Sequence, residues 1–234
     1  MARPGVISNY LICSTPRSGS NYLCELLSSL GFAGSPEEHL WDPPDGTPLE
    51  PLSDRWPRVL EAGTGSNGVF GLKVMFYQAE RLERDLPAVL GKPGRALADV
   101  LAEILCDSKY IYLTRRDHLR QAVSLVRAMQ TKQWRSLDQA VRREEYDRAA
   151  IDEAMESLVG EERLWENFFT RQHLRPYRLT YEDFERDPGT AVAGILRHLG
   201  HGPIETVSLP PSRHRRQADD VTEDWVRCYR AGSA

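Results

Sequence analysis

The sequence predicts an α/β fold with a mostly parallel central sheet flanked by helices. Strand-like runs alternate with helical patterns along the chain: residues 9–14 read as a strand, and Leu23, Leu26, Leu27 and Leu30 follow at the spacing of one helix face. Further strand-like runs occur at residues 69–76 and 109–114. Strands separated by helices pair in parallel, and ligands then bind beyond the carboxyl ends of the strands.

The later elements continue this alternation. Asp117 is a predicted N-cap, because a helical pattern begins at the next residue. The predicted elements are a helix at 96–105, a strand at 109–114, helices at 118–131 and 148–171, a strand at 175–180 and a helix at 188–199.

One segment, residues 34–68, resists assignment to a long regular element. It holds six of the fifteen prolines, together with Trp41 and Trp56. We expect a loop here, ordered by its tryptophans and lying beside a pocket on the acceptor side.

Composition narrows the class of protein. A chain of 234 residues with 41% hydrophobic and 27% charged residues is long enough for one core, so a single domain over residues 1–234 is expected. A net charge of -4 argues against general nucleic-acid binding. No apolar run is long enough to span a bilayer, so we expect a soluble cytoplasmic protein. The four cysteines are scattered, which favours reduced thiols and no metal site.

The turn after the first strand has the features of an anion-binding loop. Arg17 contributes a positive charge, Gly19 allows close approach of a ligand, and the first N–H groups of the following helix lack partners. A phosphate or sulfate is expected against Arg17, Ser18, Gly19, Ser20 and Asn21. The G-x-x-x-x-G-K-[ST] loop of metal-dependent nucleotide hydrolysis is absent.

A second anion site is predicted after the third strand. Ser124 follows Arg116 by eight residues, about two helical turns, so both side chains could hold one phosphate. The alternative is that Arg116 pairs with a carboxylate such as Asp117 and Ser124 is an ordinary helix residue. Arg115 is left without an assigned role.

Four separated segments resemble the bacterial trehalose 2-sulfotransferase-like family. They are S-T-P-R-S-G-S at 14–20, G-S-P-E-E at 34–38, Y-L-T-R-R at 112–116 with Ser124, and R-R-Q-A-D at 215–219. The resemblance implies a P-loop-like sulfotransferase fold and 3′-phosphoadenosine-5′-phosphosulfate as donor, with Arg116 and Ser124 on its 3′-phosphate. It further implies a carbohydrate acceptor such as trehalose or a glycolipid, no metal and a homodimer.

By the same resemblance Glu38 is the general base that takes the acceptor proton. His39 replaces a residue that is more often aromatic in the family, and other sulfotransferases use a histidine base. His39 is therefore a rival, or a neighbour of the substrate. Without the resemblance, Glu37 and Glu38 would read as an acidic surface loop.

Three further residues have open alternatives. Tyr181 resembles an adenine-contacting tyrosine, or it belongs to a capping turn. Arg216, with Arg215, resembles a nucleotide-binding segment, or lies on a solvated face. Lys73 faces away from Leu72 and Val74, toward the sulfonate or toward solvent.

Two other classes of protein stay open at this point. A kinase or NTPase with a degenerate loop would need magnesium, and a non-catalytic nucleotide-binding protein would need no base. The acceptor is also open, since another small-molecule hydroxyl would serve. Trp41, Trp56 and Trp134 are candidates for stacking on it.

Overall fold

A computed structural model describes residues 8–42, 50–105, 108–134, 144–210 and 220–232. Its centre is a four-stranded parallel sheet of order β2-β1-β3-β4, which confirms the predicted fold class. The strands are β1 (Ser8–Ser14), β2 (Val69–Val74), β3 (Lys109–Thr114) and β4 (Tyr177–Thr180). β2 ends two residues before the predicted limit, and β4 begins two residues after it.

Helices cover both faces of this sheet. In the described part of the chain they are α1 (Ser20–Ser29), α2 (Leu52–Gly63), α3 (Phe76–Val89), α4 (Leu97–Leu105), α5 (His118–Thr131), α6 (Arg148–Arg171), α7 (Tyr181–Arg186), α8 (Pro188–His198) and α9 (Asp220–Ala231). None of the helices in these ranges is long and apolar enough to cross a membrane.

Alternation along β1 divides the core in two. Leu11 and Cys13 pack on one face with α2, α3, α4 and the second half of α6. Tyr10 and Ile12 pack on the other face with α1, α7 and α8. A third cluster joins α5, the first half of α6 and α9. Side chains of successive strand residues point to opposite faces, so a parallel sheet buried on both sides needs apolar residues at consecutive positions.

The expectation of a loop throughout residues 34–68 is wrong for its second half, where α2 forms. Pro57 lies inside this helix and removes one backbone donor. Trp56, Val59 and Leu60 are nevertheless buried on one stripe. Burying three large apolar side chains stabilises the helix by several kcal/mol, roughly 1.5–3 each, which offsets the effect of one proline.

The order of the strands in the sheet determines where a binding site can form. From β1 the chain goes to β2 on one side and then to β3 on the other, so the strand order reverses next to β1. A crevice forms at such a reversal, at the carboxyl ends of the strands. The loop after β1 and the two arginines after β3 both lie at this edge.

Candidate active site

The loop after β1 is held in a fixed shape by internal hydrogen bonds. Ser18 Oγ donates to the Thr15 carbonyl oxygen over 2.8 Å. Gln121, buried on α5, donates to Thr15 Oγ1 over 2.9 Å and to the Pro16 carbonyl oxygen over 2.7 Å. Gly19, at φ 87°, precedes α1, and no side chain caps that helix. Its first N–H groups are therefore able to bind an anion, as the predicted cradle requires.

Tyr181 packs directly on this loop. A Cβ atom at Gly19 would lie 2.5 Å from Tyr181 Cδ2, so only glycine fits there. The Arg115 guanidinium stacks on the same tyrosine ring, 4.7 Å from its centroid, and Nη1 donates to the Arg17 carbonyl oxygen over 3.3 Å. Burial lowers the pKa of Arg115. Arg115 therefore supports the loop through Tyr181 and Arg17.

Ser124 contacts Arg17 in the structure. Arg17 Nε donates to Ser124 Oγ over 2.9 Å, and Arg17 Nη1 donates to the Trp134 carbonyl oxygen over 2.5 Å. The guanidinium thus extends from the loop to α5. The backbone of Arg17 is in the left-handed region, at φ 61°, which is uncommon for a residue other than glycine.

The Arg116 side chain pairs with a carboxylate on α7 rather than with Ser124. Its Nη1 and Nη2 atoms donate to the Asp183 carboxylate over 3.0 and 3.2 Å, and 54% of its side chain is exposed. The Glu182 carboxylate accepts the backbone N–H groups of Arg116 and Asp117, each over 3.1 Å. The structure does not bring Arg116 and Ser124 together, so their shared phosphate remains a prediction.

The alternative that Arg116 pairs with a carboxylate is confirmed, but that carboxylate is not Asp117. Asp117 caps α5, where its Oδ1 accepts the Arg120 N–H over 2.9 Å, and its Oδ2 accepts from Arg120 Nη1 over 2.5 Å. The N-cap prediction itself is confirmed. The carboxylate on Arg116 comes from α7, 67 residues further along the chain.

The segment that carries Glu38 runs alongside β2. Gly34 has φ 74°, and a Cβ atom there would lie 2.7 Å from the Val69 carbonyl oxygen. The Glu37 carbonyl oxygen accepts the Lys73 N–H over 3.0 Å. The close approach that glycine permits therefore anchors the segment to the strand edge and fixes the backbone of Glu38.

Among the described residues, three hydrogen-bond donors converge on the Glu38 carboxylate, which is 14% exposed. Lys73 Nζ lies 2.9 Å from Oε2. Gln78 Nε2 donates to Oε1 over 3.0 Å, and the Tyr77 hydroxyl donates to the same oxygen over 3.4 Å. Donors that bind the charged form of a carboxylate stabilise it and hold its orientation.

Lys73 joins this carboxylate to the predicted anion-binding segment. Its side chain is 2% exposed, and Nζ donates to Asn21 Oδ1, in the first turn of α1, over 2.5 Å. The prediction that Lys73 faces away from Leu72 and Val74 is confirmed, and the alternative that it reaches solvent is wrong. Its contact with the sulfonate stays a prediction. A buried ammonium needs such partners, because an unpaired charge in the interior is strongly unfavourable.

The ring of His39 is turned toward its own backbone segment. Its Nε2 atom lies 3.0 Å from the Ser35 carbonyl oxygen. A carbonyl oxygen only accepts, so this hydrogen bond requires the proton on Nε2. This contact gives His39 a way to brace the loop, while its role as a base stays untested.

Aromatic and charged residues lie in and around the segment predicted to form the acceptor side. Trp41 is 50% exposed, and its backbone N–H donates to the Glu38 carbonyl oxygen over 2.9 Å. Asp42 Oδ1 accepts from Arg55 over 2.6 Å and from Arg81 over 3.1 Å. Of the other two tryptophans considered for stacking, Trp134 is partly exposed, whereas Trp56 is buried in the core and unavailable.

Sequence reasoning missed Tyr77 and Gln78. The predicted strand ran to residue 76, which hid the start of α3 directly after β2. Two polar side chains, three and four residues after the end of a buried strand, were the available signal. Arg215 and Arg216 lie outside the described residues. Within the described ranges, no group of three or more His, Cys, Asp or Glu side chains is arranged to hold a metal ion.

Comparisons with known proteins identify the family and the fold of the chain. Residues 9–232 match the family model described as Stf0 sulphotransferase. The trehalose 2-sulfotransferase of Mycolicibacterium smegmatis is 29% identical, over 94% of each chain. That of Mycobacterium tuberculosis is 28% identical, over 95% of this chain and 94% of the relative. In fold the chain is similar to a sulfotransferase domain from the curacin biosynthetic pathway, at 19% identity and a TM-score of 0.51, over 88% of this chain and 76% of that one.

Proposed function

Because the chain belongs to the Stf0 sulphotransferase family, we propose that it transfers a sulfuryl group from 3′-phosphoadenosine-5′-phosphosulfate to a carbohydrate hydroxyl. Trehalose is the first acceptor to test, since two relatives that align over nearly the whole chain carry that substrate in their names. The resemblance of the four segments also supports a homodimer. Light scattering on the purified protein tests the oligomeric state.

The observation that carries the proposal is the side-chain path from Asn21 through Lys73 to Glu38. Lys73 Nζ contacts Asn21 Oδ1 at 2.5 Å and Glu38 Oε2 at 2.9 Å. One end of this path lies in the first turn of α1, where an anion would bind, and the other is a carboxylate suited to accept a proton. The spacing supports a donor and an acceptor that meet between the loop and Glu38.

The two oxygens of Glu38 are not equivalent. Each carboxylate oxygen has two lone pairs. Oε1 already accepts from Gln78 and Tyr77, whereas among the described residues Lys73 is the partner of Oε2. The open position on Oε2 lies beside Lys73 and so on the loop side. We assign the acceptor hydroxyl to that position.

In the proposed step, Glu38 takes the proton of the acceptor hydroxyl as the hydroxyl oxygen forms a bond to sulfur. The bond between sulfur and the bridging phosphate oxygen breaks, and its electron pair stays with the departing phosphate. Arg17, Lys73 and the first N–H groups of α1 would stabilise the charge that develops there. Preorganised donors of this kind are worth ~3 kcal/mol each, and positioning supplies much of the remainder.

Two measurements test the function. Calorimetry compares adenosine 3′,5′-bisphosphate with ATP plus magnesium: tight, metal-independent binding of the bisphosphate is expected, and a preference for ATP with magnesium would favour a kinase or NTPase instead. Transfer from labelled donor is then followed with trehalose, other sugars, glycolipids and phenols. Transfer to phenols alone would overturn the carbohydrate assignment.

A further inference from the structure

Tyr77 combines a fixed hydroxyl with an open ring. The hydroxyl accepts from Gln78 Nε2 over 3.0 Å and donates to Glu38 Oε1 over 3.4 Å, yet 48% of the residue is exposed. Gln78 is itself fixed, because its Oε1 accepts the Met75 N–H over 2.8 Å. The polar end of Tyr77 is therefore held, while much of its apolar surface is left to solvent.

The hydroxyl of Tyr77 remains a donor at neutral pH. Burial of the hydroxyl, together with the negative charges of Glu38 and Asp42, raises the pKa of Tyr77. A protonated phenol can donate a hydrogen bond to the Glu38 carboxylate, but it cannot act as the base in its place. Its contribution to the base is orientation.

The exposed ring contrasts with the aromatic residues packed near it. Phe76, the preceding residue, is buried edge-on against Trp165 with ring centroids 5.4 Å apart. Tyr77 makes no such ring contact among the described residues. An exposed aromatic ring beside a reactive group offers a surface on which a ligand can stack. Because the side chain is already held in place, binding a ligand costs little additional side-chain entropy.

Building on the proposed carbohydrate acceptor, we propose that the ring of Tyr77 stacks on the apolar C–H face of a pyranose and directs one rim hydroxyl to Glu38. A pyranose presents C–H groups on its faces and hydroxyls around its edge, which suits a tyrosine whose own hydroxyl already touches the base. Tyr77 then has two roles, since its hydroxyl positions Glu38 and its ring binds the acceptor. Trp41, a second exposed aromatic residue, lies three residues after Glu38, and its backbone N–H donates to the Glu38 carbonyl oxygen.

Two substitutions separate the roles. Tyr77→Phe keeps the ring and removes the hydroxyl, so kcat should fall about 3- to 10-fold with the acceptor KM within about twofold of wild type. Tyr77→Leu removes the ring as well, so the sugar KM should rise about 5- to 10-fold further. Phe32→Leu is the matched control, because Phe32 is an exposed ring that contacts His201 rather than Glu38.

Donor affinity, measured by calorimetry with adenosine 3′,5′-bisphosphate, should be unchanged in all three variants and reports that they are folded. If Tyr77→Leu and Tyr77→Phe have the same sugar KM, the ring does not bind the acceptor and the stacking proposal is overturned. A higher KM for phenols with an unchanged KM for sugars would overturn the pyranose assignment. A wild-type protein that sulfates no sugar overturns the proposed function first, which is a distinct result.

Discussion

Arg17 Nε lies 2.9 Å from Ser124 Oγ, so a side chain of the loop after β1 reaches a hydroxyl on α5, 107 residues away in sequence. The sequence had assigned these residues to two different anions. Their contact means that any phosphate bound at Ser124 also meets the Arg17 guanidinium. The loop and the middle of α5 therefore meet, and the two predicted anion sites would share one surface.

Arg17→Ala should weaken donor binding by about 2–5 kcal/mol, because it removes the charge on that surface. Ser124→Ala removes one neutral hydroxyl and should cost about 1 kcal/mol. Calorimetry with adenosine 3′,5′-bisphosphate measures both. Near-normal affinity in Arg17→Ala would contradict the loop assignment.

Arg116→Ala should abolish the preference for adenosine 3′,5′-bisphosphate over adenosine 5′-monophosphate if Arg116 turns to the 3′-phosphate when the donor binds. Asp183→Asn is the informative companion, because it releases Arg116 from the carboxylate that holds it at 3.0 Å. That variant should keep the preference. Equal weakening toward both nucleotides in Arg116→Ala would indicate that the pair with Asp183 is purely structural.

Glu38→Gln should leave donor affinity nearly unchanged and lower kcat by roughly 10²- to 10⁴-fold, the range for loss of a general base. The amide keeps the size of the side chain but cannot take the proton. His39→Ala should retain most of the activity, because the contact of its ring with Ser35 is structural. If His39→Ala were the inactive variant instead, the base would be the histidine.

Lys73→Met should destabilise the protein by about 3 kcal/mol and also lower kcat, since the largely buried Glu38 carboxylate loses its ionic partner. Asn21→Ala breaks only the other contact of Lys73 and should cost about 1–2 kcal/mol. Urea denaturation compares the two variants. Equal stability losses would show that the ion pair with Glu38 adds little.

Glu161→Gln should change how stability depends on pH. Glu161 lies between the buried Leu158 and Trp165 on α6, and burial raises its pKa to about 7. The unfolded value is about 4.3, so the folded state binds this proton more tightly, and the resulting stability is lost as pH rises from about 4.3 through 7. The glutamine variant should gain on the order of 1–2 kcal/mol over wild type at pH 8 relative to pH 5, after allowance for partial exposure. Parallel pH profiles of the two proteins in thermal melts would contradict this assignment.

Much of the fold was readable from local patterns. The predicted limits of β3, α5 and α6 coincide with those observed, because each is a run of uniform periodicity bounded by a strong cap or a change of period. The order of the elements and the parallel sheet followed from the alternation of strand and helix. The family resemblance rested on contiguous segments and is confirmed by the family match over residues 9–232.

The missed helices show the limit of that reading. Pro57 and Pro87 lie inside α2 and α3, where local propensity argues against a helix and burial of one face outweighs it. Burial depends on which surfaces meet after folding. A pattern within a few neighbouring residues therefore does not predict which helix face will be buried.

The side-chain partners in the site also depend on which surfaces meet after folding. Sequence could place Arg17 and Gly19 on one turn because they are neighbours in the chain. It could not choose between Ser124 and other partners for Arg17, or between a phosphate and Asp183 for Arg116. An arginine reaches several positions from one backbone site, and packing of α5, α7 and the β1 loop against the sheet determines which oxygen lies within hydrogen-bond distance.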